Sequence, residues 1–338
     1  MVVFFIVAVL VLVVLFGPRP RVSLVWAEQA LPSVYTQLPE WLLASEQALS
    51  GVTEGAEKYI EFANSDSPSR TPLVVLYLHG FSATRQEISP VPERVASALG
   101  ANYYGARLSG HGLDSDALGN ARAEQWITDA IEAWQVACAL GEKVVIISCS
   151  TGGTLATWLA QQPAVQDKLA GLIFFAPNYQ LKQWAGRLFT WPWARYWVPL
   201  VVKKEHSWEP AGELNGKYWT YRYSTRVIHE LQALIETVRK SPVERIQAPS
   251  LFIYSDDDQV VDPRAIEDVV SRWGSEVNQT IKVPGVPGES NHVITGDIVA
   301  PQSTERSIEQ VLAFLKQQGI EREVQREVVS GFEANSVA

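Results

Sequence analysis

Cysteine is scarce: two residues in 338, Cys138 and Cys149, cannot build a disulfide framework, and they leave the redox compartment open. Metal and nucleotide signatures are missing too. With no H-E-x-x-H, no paired C-x-x-C and no G-x-G-x-x-G in the chain, neither a metal nor a cofactor is expected. Basic charge is in deficit, 28 Lys and Arg against 37 Asp and Glu for a formal net charge of −9. Nucleic acid and anionic lipid require basic surfaces, so neither is expected as a general electrostatic partner. Internal repeats and low-complexity tracts are likewise absent.

What is present begins with Ser148-Cys149-Ser150-Thr151-Gly152-Gly153, set between the apolar run Val144-Val145-Ile146-Ile147 and the helix-like Leu155 to Ala160. A serine at a sharp strand-to-helix bend is held clear of the sheet, and the residues two before and two after it must be small because backbone crowds there. Only Ser150 meets that condition. Cys149 would need Ile147 and Thr151 in the tight positions, and Ser148 would need Ile146 and Ser150. Ser148 stands where the usual G-x-S-x-G pattern has glycine. A phosphate loop is excluded because its spacing and its lysine are lacking.

A serine hydroxyl becomes a nucleophile only when a base accepts its proton and a carboxylate orients that base. In strand-turn-helix sites the chain order is Ser, then Asp or Glu, then His. His79 and His111 precede Ser150, and His206 and His229 precede any strand that could end in the acid, which leaves His292 in the turn-rich Gly285 to His292. The acid comes from Leu251 to Pro263, where a buried-type strand meets a carboxylate cluster. Asp262 before Pro263 reads as a helix cap. Asp258 is chosen because it stands three after Ser255 and two before Val260-Val261; Asp257 is the alternative, and Asp256 reads as solvated.

With these residues the chain resembles the α/β-hydrolase superfamily, within it the carboxylesterase and monoacylglycerol-lipase-like group, over about Glu57 to Gln318. The G-x-x-D-x-V-V layout of that family places Asp258, with Ser255 in the glycine position. Its H-G-x segment corresponds to His79-Gly80-Phe81, so the resemblance implies an oxyanion hole made by the N–H groups of Phe81 and Thr151. The turn Gly110-His111-Gly112 also matches, which makes His79 and His111 structural residues. The implied activity is hydrolysis of small carboxylic esters by a serine acyl-enzyme, with apolar or medium-chain acyl groups preferred. The same constellation serves peptidases, thioesterases and acyltransferases, and a non-catalytic ligand-binding protein is the alternative from a different class.

Apolar runs alternate with helical patterns, the signature of a mostly parallel central sheet flanked by helices. Strands are expected near 57–63, 72–79, 101–107, 143–148, 170–176, 249–255 and 279–284. Helices are clearest at Glu93 to Leu99, Ala123 to Leu140 and Thr304 to Lys316, the last with Ile308, Val311, Leu312 and Leu315 on one face. The expected architecture is therefore an α/β-hydrolase domain over 28–320 with a helical cap inserted at about 180–247. Six of the twelve tryptophans fall in that insertion, and Trp184 and Trp191 are candidates for an apolar substrate entrance. Arg85 is a candidate contact for a polar head group. Segment 321–338 is polar and expected to be a flexible tail.

Residues 1–27 carry the apolar run Val2 to Phe16, closed by Gly17-Pro18-Arg19-Pro20-Arg21. The expectation is membrane association through Met1 to Phe16, with the domain tethered by the stretch up to about Leu38. Export after signal cleavage following Ala27 is the alternative.

Overall fold

The alternation of apolar runs and helical segments becomes, in a computed structural model that describes residues 1, 4–6, 9, 12–13 and 16–321, a seven-stranded sheet with helices on both faces. The strands are β1 (Tyr59–Glu61), β2 (Thr71–Leu78), β3 (Asn102–Gly105), β4 (Gly141–Cys149), β5 (Leu169–Phe175), β6 (Glu205–Ser207), β7 (Arg222–Ser224), β8 (Ser250–Tyr254) and β9 (Asn278–Lys282). The main sheet runs β1-β3-β2-β4-β5-β8-β9, and β6 with β7 forms a separate antiparallel hairpin. Only the edge strand β1 is antiparallel to its neighbour in the main sheet. The longer helices are α1 (Leu38–Gln47), α2 (Val91–Leu99), α3 (Ala123–Leu140), α4 (Thr151–Ala160), α5 (Ala194–Val201), α6 (Arg226–Arg239), α7 (Pro263–Ser271) and α8 (Thr304–Gln317).

Parallel strands covered on both faces read as unbroken apolar runs, and β4 is buried from Val144 to Cys149. The two-residue period divides these side chains between two cores. Val144 and Ile146 join Val74, Leu76 and Phe174 on the face covered by α3, α4 and α6. Val145, Ile147 and Cys149 join Val75, Tyr77 and Ile173 on the face covered by α2 and α8. Helix α8 buries Ile308, Val311, Phe314 and Leu315. Leu312, expected on that face, is only partly covered and Phe314 takes its place.

Between β5 and β8 the chain leaves the sheet for a 3-10 segment (Trp184–Thr190), α5, the β6–β7 hairpin and α6. Phe189, Ala194 and Val198 form a small core of their own. Helix α6 does not share it alone: Leu231, Leu234, Ile235 and Val238 are buried in the main core. Parallel order sends the C-terminal ends of β2, β4 and β8 to one edge, where ligands meet open α/β sheets.

The structure corrects the expectation of a membrane-anchoring N-terminal helix. Among the described residues no helix is long and apolar enough to cross a membrane. Length is the physical reason, since about 15 residues at 1.5 Å each reach about 22 Å against a hydrocarbon core of about 30 Å. Parts of the Val2 to Phe16 run, and the tail from 322 onward, lie outside the described residues. Trp193 donates from its backbone N–H to the Pro18 carbonyl at 2.8 Å and from Nε1 to the Val13 carbonyl at 2.9 Å. Beyond that point Val22, Leu24, Trp26 and Leu31 pack on the main core, with the Trp26 ring 6.2 Å from that of Trp158. Cleavage after Ala27 would take Val22, Leu24 and Trp26 out of this packing.

The loop after β3 is pinned by a buried ion pair, in which the Arg107 fork meets Glu46 of α1 at 2.6 and 2.9 Å. Both side chains are 4% exposed, so removing one partner strands the other charge away from water. Glu46→Ala is expected to lower stability by about 3–5 kcal/mol, read as a shift of the urea unfolding midpoint at unchanged slope.

Candidate active site

Strand β4 ends at Cys149 and α4 begins at Thr151, which leaves one residue to turn the chain. Ser150 does so with φ 51° and ψ −116°, a left-handed conformation that costs a non-glycine residue about 1–3 kcal/mol. Its N–H donates to the Phe175 carbonyl at 2.9 Å, and its carbonyl accepts from Asn178 N–H at 2.9 Å. Gly152 has no space for a side chain, because a β-carbon there would lie 1.9 Å from the Leu78 carbonyl oxygen. Ser148 is accommodated where glycine is usual: it is fully buried, and its hydroxyl donates to the Ile173 carbonyl of β5 at 3.1 Å.

Strand β8 delivers the carboxylates. Asp258 is fully buried, and Oδ1 accepts from the N–H groups of Val260 at 2.7 Å and Val261 at 2.9 Å. Asp256 and Asp257 are exposed, and Asp256 pairs with Lys282. Asp262 caps α7 through the Arg264 N–H. Ser255 closes the turn, with its carbonyl accepting from Asp258 N–H at 3.3 Å and its hydroxyl from Asp257 N–H at 3.2 Å.

The loop after β9 carries His292. Asn291, at φ 54°, folds this loop by exchanging hydrogen bonds with the Val286 backbone, and Gln259 N–H donates to the Ser290 carbonyl at 2.8 Å. The result is one relay: His292 Nδ1–H donates to Asp258 Oδ2 at 2.8 Å, and Ser150 Oγ–H donates to His292 Nε2 at 2.9 Å. Ser150 is 5% and His292 7% exposed. Burial pushes the imidazole pKa down, but the Asp258 charge and hydrogen bond, with a smaller contribution from Glu87, carry it above its ordinary value.

At the end of β2, His79 Nδ1–H donates to the Gly80 carbonyl at 2.8 Å and Nε2 accepts from Leu108 N–H at 3.1 Å. Burial lowers its pKa to about 4, so it stays neutral and holds two loops together. His111 is also pushed well down by burial, and its Nδ1–H donates to the Ser109 carbonyl. Among the described residues, neither the Phe81 nor the Thr151 N–H donates to a backbone or side-chain acceptor. The Phe81 ring meets His111, Trp126 and Tyr223 of β7 edge-on, and Thr220 N–H donates to the Ser82 carbonyl at 2.7 Å.

The remaining expected residues lie elsewhere. Arg85 is held at the β1 edge, donating from Nε to the Glu57 carbonyl at 2.9 Å with its guanidinium 4.6 Å over the Tyr59 ring. Trp184 is 73% and Trp191 54% exposed on the outside of the inserted segment. Two residues at the site have no mark in the sequence. Lys182 Nζ donates to the Asp258 carbonyl at 2.9 Å, and Glu87 is buried beside Gly80. Both reach the site by loop folding, which no spacing rule encodes.

A parallel sheet with a left-handed serine after β4, an acid after β8 and a histidine after the last strand is the α/β-hydrolase fold. Residues 69–286 match Hydrolase_4, the family described as serine aminopeptidase, S33, and the chain belongs to that family. It is 25% identical over 241 residues to a thermostable monoacylglycerol lipase of Bacillus sp. (strain H-257), covering 70% of this chain and 90% of that protein. Among solved structures it is similar to one reported for LipS and LipT, two metagenome-derived lipolytic enzymes (TM-score 0.62, 19% identity, 79% of this chain and 99% of that one). A soluble variant of monoglyceride lipase from Saccharomyces cerevisiae, in complex with a substrate analog, has TM-score 0.58 at 16% identity over 77% of this chain and 90% of its own.

A histidine acting as base must be neutral to accept a proton, so for His292 in that role the raised imidazole sets the sign of the pH response. Ester hydrolysis, read as kcat/KM, should decline as pH falls, with a midpoint above the ordinary histidine value of about 6.5. Asp258→Asn removes the charge that raises it, so that midpoint should move to lower pH while kcat falls on the order of 10³–10⁴-fold.

Proposed function

We propose that the protein hydrolyses carboxylic esters through an acyl-enzyme formed on Ser150. The observation that carries this reading is the unbroken relay Asp258–His292–Ser150, at 2.8 and 2.9 Å, ending on a serine in a left-handed turn. Ser150 Oγ attacks the ester carbonyl while His292 Nε2 takes its proton. Asp258 keeps Nδ1 protonated and stabilises the imidazolium that forms. The carbonyl oxygen, now an anion, accepts from the N–H groups of Phe81 and Thr151. Each donor of this kind lowers the barrier by roughly 3–4 kcal/mol because it faces charge that exists only in the transition state. His292 returns the proton to the leaving alcohol, and water then repeats the sequence to release the acid.

The substrate class we infer is a small ester with an apolar or medium-length acyl chain, monoacylglycerol included. Support comes from the aromatic ceiling over Phe81, where Tyr223 packs at 5.2 Å, and from the relative named as a monoacylglycerol lipase. The serine aminopeptidase description of the family makes an aminoacyl amide the natural competitor.

Ser150→Ala should cut turnover of p-nitrophenyl butyrate on the order of 10⁴-fold or more while leaving the urea unfolding curve in place. In a panel of p-nitrophenyl esters, monoacylglycerols and aminoacyl amides, the esters should show the higher kcat/KM. Turnover that survives in Ser150→Ala, or amides preferred over esters, contradicts the reading.

A further inference from the structure

We propose that Glu87 is the positioning residue that holds the Gly80–Phe81 turn against the Ser150 bend. The inference rests on the ester-hydrolase reading, in which the Phe81 N–H faces the oxyanion. After β2 the chain folds back on itself, with Ala83 N–H donating to the Gly80 carbonyl and Glu87 N–H to the Thr84 carbonyl at 3.0 Å. The side chain of Glu87 therefore returns to the start of its own loop. There Oε2 accepts from Gly80 N–H at 2.7 Å and from the Tyr77 hydroxyl at 2.9 Å. A β-carbon on Gly80 would lie 2.6 Å from Glu87 Oε1 and 3.1 Å from Ser150 Cβ. The residue that precedes the Phe81 N–H is gripped between the carboxylate and the nucleophile.

A further contact makes Glu87 a junction. On the outer side Gly296, four residues after His292, presses on the Glu87–Ile88 backbone: a β-carbon there would lie 2.6 Å from Ile88 Cα and 3.0 Å from the Glu87 carbonyl oxygen. One residue thus meets the end of β2, the Gly80 turn and the histidine loop, and the Gly80 turn it holds lies against the Ser150 bend. An acid that is 2% exposed and paired with no cation among the described residues costs stability to bury. Burial raises its pKa, and the Gly80 N–H and Tyr77 hydroxyl oppose that shift. The proton transfers of the hydrolysis do not use it, and its polar partners are the Gly80 N–H and the Tyr77 hydroxyl.

The test compares Glu87→Ala, which removes the acceptor, with Glu87→Gln, which keeps an oxygen for the Gly80 N–H. On p-nitrophenyl butyrate, Glu87→Ala should lose about 10²–10³-fold in kcat with KM changed less than about threefold. Glu87→Gln should recover kcat to within about tenfold of wild type. In ¹⁵N-glycine-labelled full-length protein, the Gly80 amide proton should resonate far downfield, move upfield in Glu87→Ala and stay near its wild-type position in Glu87→Gln. A Gly80 resonance that Glu87→Ala leaves in place, or a kcat loss that glutamine fails to rescue, overturns the proposal. If Glu87→Ala does not fold, the glutamine variant decides by the same two readouts. The resonance needs no turnover, so a wild-type protein that hydrolyses no ester would remove the ester-hydrolase reading and leave the Glu87 contact to be judged on the Gly80 shift.

Discussion

The start of α4 is pressed onto the end of β2 so closely that Gly152 and the Leu78 carbonyl leave no room for a β-carbon. From that contact much of the site follows. The chain passes from β4 into α4 in one residue, through the left-handed turn at Ser150. The turn lifts the hydroxyl off the sheet edge and frees the Thr151 N–H at the helix start. It also brings Ser150 within reach of the Gly80 turn. A cost of about 1–3 kcal/mol in the backbone is offset by the packed sheet beneath it, where β2, β4 and β5 are buried on both faces.

Above this rigid floor the site is assembled from loops, and hydrogen bonds to buried carboxylates hold them. Asp258 uses one oxygen on two backbone N–H groups and the other on His292, so the oxygen that orients the imidazole cannot turn away. The inserted segment docks on that same acid loop: Leu181 bridges Val261, Lys182 N–H donates to the Val260 carbonyl, and Lys182 Nζ donates to the Asp258 carbonyl. The root of the inserted segment is thereby held against the loop that carries Asp258. Burial acts in opposite directions on the ionisable groups here. It keeps His79 and His111 neutral and structural, whereas the charge of Asp258 overcomes it at His292.

The parallel sheet and the bend at Ser150 are legible in the sequence because both are local. Strand periodicity is set by which face each side chain meets, and the small residues around Ser150 answer to backbone crowding a few ångströms away. Serine in place of glycine at Ser148 and Ser255 looks irregular in the sequence. In the structure each hydroxyl takes up a backbone partner that glycine would leave alone. Glu87 and Lys182 are illegible for the opposite reason, since their partners are brought in by loops that fold on tertiary contacts. The exposed Trp184 and Trp191 show the limit of composition, which marks an aromatic segment without saying which face each ring takes. The apolar run at the start of the chain is a related case: hydropathy registers its character, but its length falls short of a span.

The central claim is that one serine, set by the bend after β4, carries the acyl group. Its most direct test is to treat the full-length protein with a fluorophosphonate and locate the adduct by mass spectrometry of the digested chain. One phosphonyl group is expected, on Ser150, formed fast in the wild type and slowed greatly in His292→Ala. An adduct on another residue, or ester hydrolysis by protein that takes up no label at Ser150, would contradict it.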